Sequence, residues 1–400
     1  QRMGMVDLIP RMGKMWHEER DKLLTTAEQM VQHLQNSFSP SGTKDLSEET
    51  LKSAFAQFLQ KFDDENGGFK GRMKFPTAHN LLFLLRYHKR TGDPTALMMV
   101  EKTLDAMRKG GIYDHVGFGF HRYATDREWL LPHFEKMLYD NAQLLSVYAD
   151  AYKRSKNELY KEVIEKTIRF CDNELLNMKK GYFASLDADS LNASQHLEEG
   201  AYYSWTKEEL QSIITDDFEL FSIVFNINPF GYWEEEKKYV LIQNESLEII
   251  AKKASVSVAF VKEKKKIWEE KLFHIRKERN KPRLDDKSIT SWNALLIKGL
   301  VDSYTALENV DYLVKAEGIA VFIHNQLTTV NGSLWHTYKN EESKIDGFLD
   351  DYAFTIQAFI RLYQVTFNFH YLSQAKQLMD YCFENFYNEN ELFFTFTSRN

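Results

Sequence analysis

Two cysteines in 400 residues leave no material for a disulfide framework or a thiolate metal site, and Cys171 and Cys382 lie far apart in helical patterns. They read as small buried hydrophobes. No apolar run is long enough to cross a bilayer, so a membrane-spanning chain is not expected. Positive charge is not in excess either. The formal charge of −7 is spread along the chain, which argues against a nucleic-acid or anionic-membrane partner. Metal-binding His/Cys spacing, an EF-hand, a phosphate loop and a Gly-x-Ser-x-Gly elbow are all missing, so neither metal nor cofactor is expected. The first residue is Gln1, so a targeting segment is open as a possibility; the expected location is cytoplasmic.

Apolar and aromatic residues are plentiful. A hydrophobic share of 43% with 14% aromatics supplies a real core for one large domain or two or three ordinary ones. Residues 1–36 read as a leader, apolar from Met5 to Met15 and helical in period from Trp16 to Leu34. Residues 37–47 are a turn-rich linker, and a helix is expected from Glu48 to about Phe62. After that come helix pairs, expected near Thr77–Arg90, Pro94–Arg108, Phe134–Arg154, Glu158–Met178, Ser288–Leu307, Val310–Leu327, Phe348–Thr366 and His370–Phe386.

One member of each pair has a single apolar stripe and the other is apolar nearly all round, as expected for outer and enclosed helices. A Gly-aromatic turn follows each one-sided helix, at Gly67-Gly68-Phe69, Gly110-Gly111-Ile112-Tyr113, Gly181-Tyr182-Phe183, Gly332-Ser333-Leu334-Trp335 and, without glycine, Leu392-Phe393-Phe394. Small residues recur in the first turns of the enclosed helices, at Asp140-Asn141-Ala142, Trp292-Asn293-Ala294 and Asp351-Tyr352-Ala353. Alanine there lets helices crowd while its polar neighbour is expected to face a common centre. The expected fold is all-α, an (α/α)6-type toroid over 48–400, incomplete at its carboxyl end, with a small mixed insertion at about 182–287. The charged helix near Val258–Arg279 is expected to be a solvated surface element.

The chemistry concentrates in Gly110–Tyr152. Aromatic residues there crowd beside His121, Arg122, His133 and Glu135, the composition of a small-molecule pocket. Plain turns with aromatic plugs explain it less well. An enclosed-helix amino end carries partial positive charge and favours an anion or a sugar oxygen. Glu135 and Tyr139 are expected to share a helical face, and Lys136 and Asp140 to form a structural ion pair. Asp187 and Asp189 form a carboxylate loop with Glu198 and Glu199, leading into Tyr202-Tyr203-Ser204-Trp205; acid–base work or Asx-turns account for them about equally. Asp285-Asp286 and Asp350-Asp351 stand at helix starts, where capping alone justifies acids. Lys74, opening a further enclosed helix, is expected to reach the same centre.

The stretches GGIYDHVGFGFHRYATDREWLLPHFEKMLYDNAQLL, LDADS…EEGAYYSWTKEEL, DDKSITSWNALLI and DGFLDDYAFTIQAFIRLY together resemble the YyaL-type, spermatogenesis-associated family of thioredoxin-domain proteins. The resemblance covers essentially the whole chain. It departs at Arg72-Met73, where the family has Ala-Pro, in an extra stretch after the Asp189 loop, and at Tyr232, where Asn is usual. It implies a thioredoxin-like domain before a toroid similar to N-acylglucosamine 2-epimerases and six-hairpin glycosidases, with residues 1–36 as the tail end of the redox domain. That domain of the full-length protein is then a partner, and a sugar-like compound the ligand. The expected catalytic residues are His121, His133, Glu135, Asp187 and Asp189, with histidine-based proton transfer next to a carbonyl. Lys74, Arg122, Tyr123, Trp129, Tyr139, Asn141, Trp205, Asp286, Trp292, Asn293, Asp351 and Tyr352 are expected to bind substrate. Two readings stand beside this one: glycoside hydrolysis by paired carboxylates from Asp187, Asp189, Glu135, Asp286 and Asp351, and a non-catalytic module serving the redox domain.

Overall fold

The computed structural model describes residues 4–38, 47–389 and 392–398, apart from the side chains of 37 and 38. Most of the expected linker therefore lies outside the described residues. The chain divides into two units, 1–53 and 54–400. The first holds α1 (Met5–Glu18), with Pro10 inside it, and α2 (Arg20–Phe38). The apolar side chains of α1, among them Met5, Val6, Ile9 and Trp16, are exposed.

The second unit is built of hairpins. It takes in most of α3 (Glu48–Lys61), then α4 (Ala78–Thr91), α5 (Pro94–Lys109), α6 (Leu138–Ser155) and α7 (Glu158–Glu174). The insertion contributes α8 (Lys207–Ile213), α9 (Phe218–Val224), α10 (Leu247–Lys253) and α11 (Val258–Lys277). The series resumes with α12 (Thr290–Leu307), α13 (Val310–Phe322), α14 (Leu349–Thr366) and α15 (Phe369–Asn385). Helices α4, α6, α12 and α14 are successive neighbours in an inner arc, and α5, α7, α13 and α15 each back their own inner helix. Alternation of enclosed and one-sided helices thus becomes the inner and outer layers of an α/α toroid. One large core runs through both.

Every outer helix ends in a small antiparallel bridge: Phe62 with Phe69, Tyr113 with Phe120, Leu176 with Tyr182, Thr328 with Leu334, and Tyr387 with Phe394. The second of these corrects the sequence reading, because the residue equivalent to Phe69 and Tyr182 is Phe120 and not Tyr113. At two of these turns an enclosed-helix asparagine makes the link. Asn141 accepts the N–H of Phe120 at 2.7 Å and donates to the carbonyls of Phe120 and Met137. It is fully buried, so it faces the preceding turn and not a common centre. Alanine behind it does let helices crowd: a Cβ on Gly299 of α12 would lie 2.6 Å from the carbonyl oxygen of Ala142 on α6.

Short strands run between the helices. They are β1 (Tyr123–Ala124), β2 (Pro132–His133), β3 (Lys136–Met137), β4 (Ser185–Leu186), β5 (Asp189–Leu191), β6 (Leu197–Glu199), β7 (Tyr232–Trp233), β8 (Lys238–Tyr239), β9 (Leu284–Asp285), β10 (Ser288–Ile289), β11 (Trp335–Lys339), β12 (Glu342–Asp346), β13 (Tyr387–Asn388) and β14 (Phe393–Phe394). β3 and β10 lie directly ahead of inner helices α6 and α12. β3 pairs with β4 and β4 with β9, which ties the α6 start to both ends of the insertion. That pairing also delays α6, expected from Phe134, to Leu138.

Helices α9 and α10 were not foreseen, and the insertion has its own core around Trp205, Phe221, Trp268 and Leu272. The charged helix α11 is a second correction. Its Lys265, Glu269 and Arg276 are buried, and Arg276 makes two 2.8 Å bonds to Asp114. Lys136 completes that cluster at 2.6 Å from Asp114, so the ion pair expected with Asp140 does not form.

Candidate functional site

At the mouth of the arc, β1 and β2 place Tyr123 opposite His133. Alternation along the paired strands turns both rings to one side, and they stack with centroids 4.9 Å apart. Phe75, 44% exposed, packs against Tyr123 at 4.8 Å with the rings tilted by 31°. The imidazole of His133 is held from both ends: Nδ1 lies 2.7 Å from Glu199 Oε1, and Nε2 lies 3.3 Å from Glu135 Oε2. Arg122 donates to the same Glu135 oxygen at 3.0 Å and lies beside Tyr139. Glu135 and Tyr139 therefore meet through Arg122, since Glu135 precedes the helix. Tyr139 in turn meets Trp292 of α12 edge-on at 4.8 Å. All of these side chains are half-buried or exposed, so the row is open to a ligand.

The carboxylates around this row differ in environment. Asp140, in the first turn of α6, has an enclosed Oδ2 with no hydrogen-bond partner among the described residues. Burial pushes its carboxyl up to about 7, against the pull of the Arg122 charge. Asp189 faces Glu199 across β5 and β6, and its carboxyl is raised by desolvation first and then by Asp187 and Glu199. Asp187 accepts the N–H of Ala188 at 2.8 Å and that of Asp189 at 3.5 Å, the second an Asx-type contact that serves the loop.

Several expected site residues lie elsewhere, each for a visible reason. His121 is 2% exposed, packs edge-on against Phe134 and Tyr203, and bonds the Phe134 carbonyl through Nδ1 at 2.9 Å. Burial drives its pKa down to about 3, so it is a neutral core histidine. Lys74 is buried on Asp63 at 2.7 Å. Trp129 is enclosed, donates to the Asn66 carbonyl, and presses so close that a Cβ on Gly68 would lie 2.6 Å from its ring. Trp205 sits in the insertion core beneath the Arg279 guanidinium at 3.9 Å. Asn141 and Asn293 are buried backbone staples, and the Tyr352 hydroxyl accepts the N–H of Leu334 at 3.0 Å. Asp351 is 0% exposed and caps α14. Asp286 is half-exposed and paired with Lys339 at 2.5 Å on the rim. These burials are corrections to the direct substrate contacts expected of His121, Lys74, Trp129, Trp205, Asn141, Asn293, Asp351 and Tyr352.

The structure thus brings together Arg122, Tyr123, His133, Glu135, Tyr139 and Trp292. It adds Phe75, Asp140 and Glu199; Glu199 carried a signal as part of the carboxylate loop, and Asp140 as an ion-pair partner of Lys136. Among the described residues no group of three or more His, Cys, Asp or Glu is placed to hold a metal ion, and no helix is long and apolar enough to cross a membrane.

No family model matches the chain. It is similar to an uncharacterised protein of Caenorhabditis elegans, 35% identical over 98% of this chain and 58% of that protein. It is likewise similar to spermatogenesis-associated protein 20 of Homo sapiens, 33% identical over 95% of this chain and 53% of the relative. The chain therefore spans a little over half the length of the curated relatives it matches. Among solved structures, a family-76 glycoside hydrolase, an α-mannanase of Bacteroides thetaiotaomicron, superposes with a TM-score of 0.54 at 10% identity, covering 88% of this chain and 73% of that one. That likeness establishes the six-hairpin α/α toroid as the fold.

Proposed function

We propose that the chain acts on a sugar or sugar-like carbonyl compound at the mouth of the inner arc, by proton transfer through His133. The observation that carries this is the imidazole set between Glu199 and Glu135, with Arg122 on the Glu135 oxygen it shares. Glu199 fixes the ring through Nδ1, and Nε2 exchanges a proton with Glu135 or with a ligand atom in its place. Arg122 neutralises negative charge that develops on a ligand oxygen there. The exposed ring of Phe75 and the ring of Trp292 suit the C–H faces of a sugar ring. The test is incubation with a panel of aldoses and N-acyl sugars in deuterated water. Exchange at carbon by wild type and its loss in His133→Gln is the expected result; no exchange with any compound rejects the reading.

A second reading, glycoside hydrolysis, is favoured by one feature: the Asp140 carboxyl, pushed up to about 7 by burial with Glu135 near it, the pattern of an acid with a base. Release of reducing sugar from a glycoside panel, lost in Asp140→Asn, separates it from the first. We further propose that residues 1–36 close a thioredoxin-like domain, the redox partner of the toroid. The exposed apolar side chains of α1 support it, as they need a cover.

A further inference from the structure

The mouth holds a second histidine that the row around His133 leaves unexplained. His336 lies on β11, which pairs with β10 at the foot of α12. Its Nδ1 is 2.7 Å from Oδ2 of the fully buried Asp351 in the first turn of α14. The same carboxylate accepts the N–H of Phe348 at 3.0 Å and, through Oδ1, the N–H of Ser291 at 2.9 Å. Three bonds leave Asp351 no rotational freedom, and Phe348 packs against the imidazole at 4.8 Å. The orientation of the ring is therefore dictated. Nδ1–H faces the carboxylate, and Nε2 faces away on a side chain that keeps 20% of its exposure.

A cap alone does not need this ring. Asp351 already serves the starts of α12 and α14 through two backbone N–H groups, so the imidazole adds nothing to capping. A buried carboxylate behind a half-exposed imidazole is instead the arrangement that fixes a tautomer and stabilises the imidazolium. The bond to Asp351 raises the His336 pKa above its ordinary value, and Asp350 alongside is raised by burial and by Asp351. Both histidines sit at the amino ends of inner helices: His133 meets Glu135 just ahead of α6, and His336 meets Asp351, which also accepts the N–H of Ser291 in α12.

We infer that His336, held by Asp351, is a second acid–base residue of the mouth and addresses the ligand through Nε2. As a base, Nε2 takes a proton from a hydroxyl or from the carbon next to a carbonyl. The electron pair stays on that oxygen or in the enolate, and Asp351 holds the imidazolium until the proton returns. The ligand class is a polyhydroxy carbonyl compound, which rests on the reading of the mouth given above.

The test uses the full chain, labelled with nitrogen-15, and two variants. His336→Asn keeps a donor where Nδ1 was and deletes Nε2, while Asp351→Asn removes the carboxylate. Imidazole spectra at neutral pH should show His336 protonated at Nδ1 in wild type, with that preference lost in Asp351→Asn. Sugars from the same panel should shift the Nε2 resonance. Exchange at carbon should fall by about 100-fold or more in His336→Asn and by about 10-fold in Asp351→Asn, with KM little changed in both. Wild-type exchange in His336→Asn, or Nε2 as the protonated nitrogen, overturns the inference and leaves the role of His133 standing. Sugars that shift Nε2 of His336 without any exchange at carbon support a ligand-facing His336 and reject the reaction proposed for His133. Sugars that shift neither histidine overturn both.

Discussion

Asn293 repeats bond for bond what Asn141 does one hairpin earlier. Its amide accepts the N–H of Tyr182 and donates to the carbonyls of Tyr182 and Ile289, as Asn141 does for Phe120 and Met137. Each side chain locks the turn behind an outer helix to the start of the next inner one. Asn141→Ala strands buried backbone groups and should cost about 2–4 kcal/mol in urea unfolding, as should Asn293→Ala. A loss below about 0.5 kcal/mol in either would show that water replaces the staple.

These staples mark what was legible in the sequence and what was not. Hairpin repetition follows from local periodicity, so inner and outer helices were readable, mostly to within a few residues. Partners were not. Glu199 reaches His133 across 66 positions and Arg276 reaches Asp114 across 162, distances over which residue type says nothing about contact. Burial of His121 was hidden for a related reason. It depends on Tyr203 and Phe134 closing over the ring, and Tyr203 belongs to an insertion whose own core, with α9 and α10, gave only short and weakly periodic signals. His336 was missed because nothing in the sequence ties it to Asp351, which lies 15 positions on and reads as a cap and substrate contact.

The buried cluster of Asp114, Lys136 and Arg276 gives the next prediction. Burial alone would raise the Asp114 carboxyl, but the Arg276 and Lys136 charges hold it well below the usual carboxylate range. A depressed acid stabilises the fold above its unfolded pKa of about 4 and loses that contribution as the pH falls below it. Asp114→Asn should cost about 3–5 kcal/mol at neutral pH by leaving two buried cations short of a partner. It should also flatten the acid limb of a stability–pH curve. An unchanged acid limb would remove Asp114 as its cause.

Asp140 predicts the opposite slope. Its folded pKa of about 7 lies above the ordinary value, so the folded chain binds a proton that the unfolded chain has already released. Stability from this group therefore falls as the pH rises from about 4 to about 7. Asp140→Asn abolishes that slope. Compared with wild type it should be near neutral at about pH 4 and more stable by about 2–4 kcal/mol at about pH 8, read by urea midpoints. Equal midpoint differences at both ends would show that the carboxyl is ionised throughout.

His121 and His133 flank the same strands and should behave as different kinds of residue. His121 bonds a backbone carbonyl in the core, and burial holds it neutral to about pH 3. Its imidazole signals should stay fixed between about pH 5 and 8, the range in which an ordinary histidine titrates. His121→Ala should cost about 2–4 kcal/mol of stability through the cavity and the lost bond, and leave sugar-induced shifts at His133 in place once folded. His133→Gln should cost little stability, because the ring is half-exposed and its partners reach solvent. It should remove the sugar response. Should His121→Ala remain folded yet lose that response while His133→Gln keeps it, the mouth around Glu135 and Glu199 is not where the ligand binds.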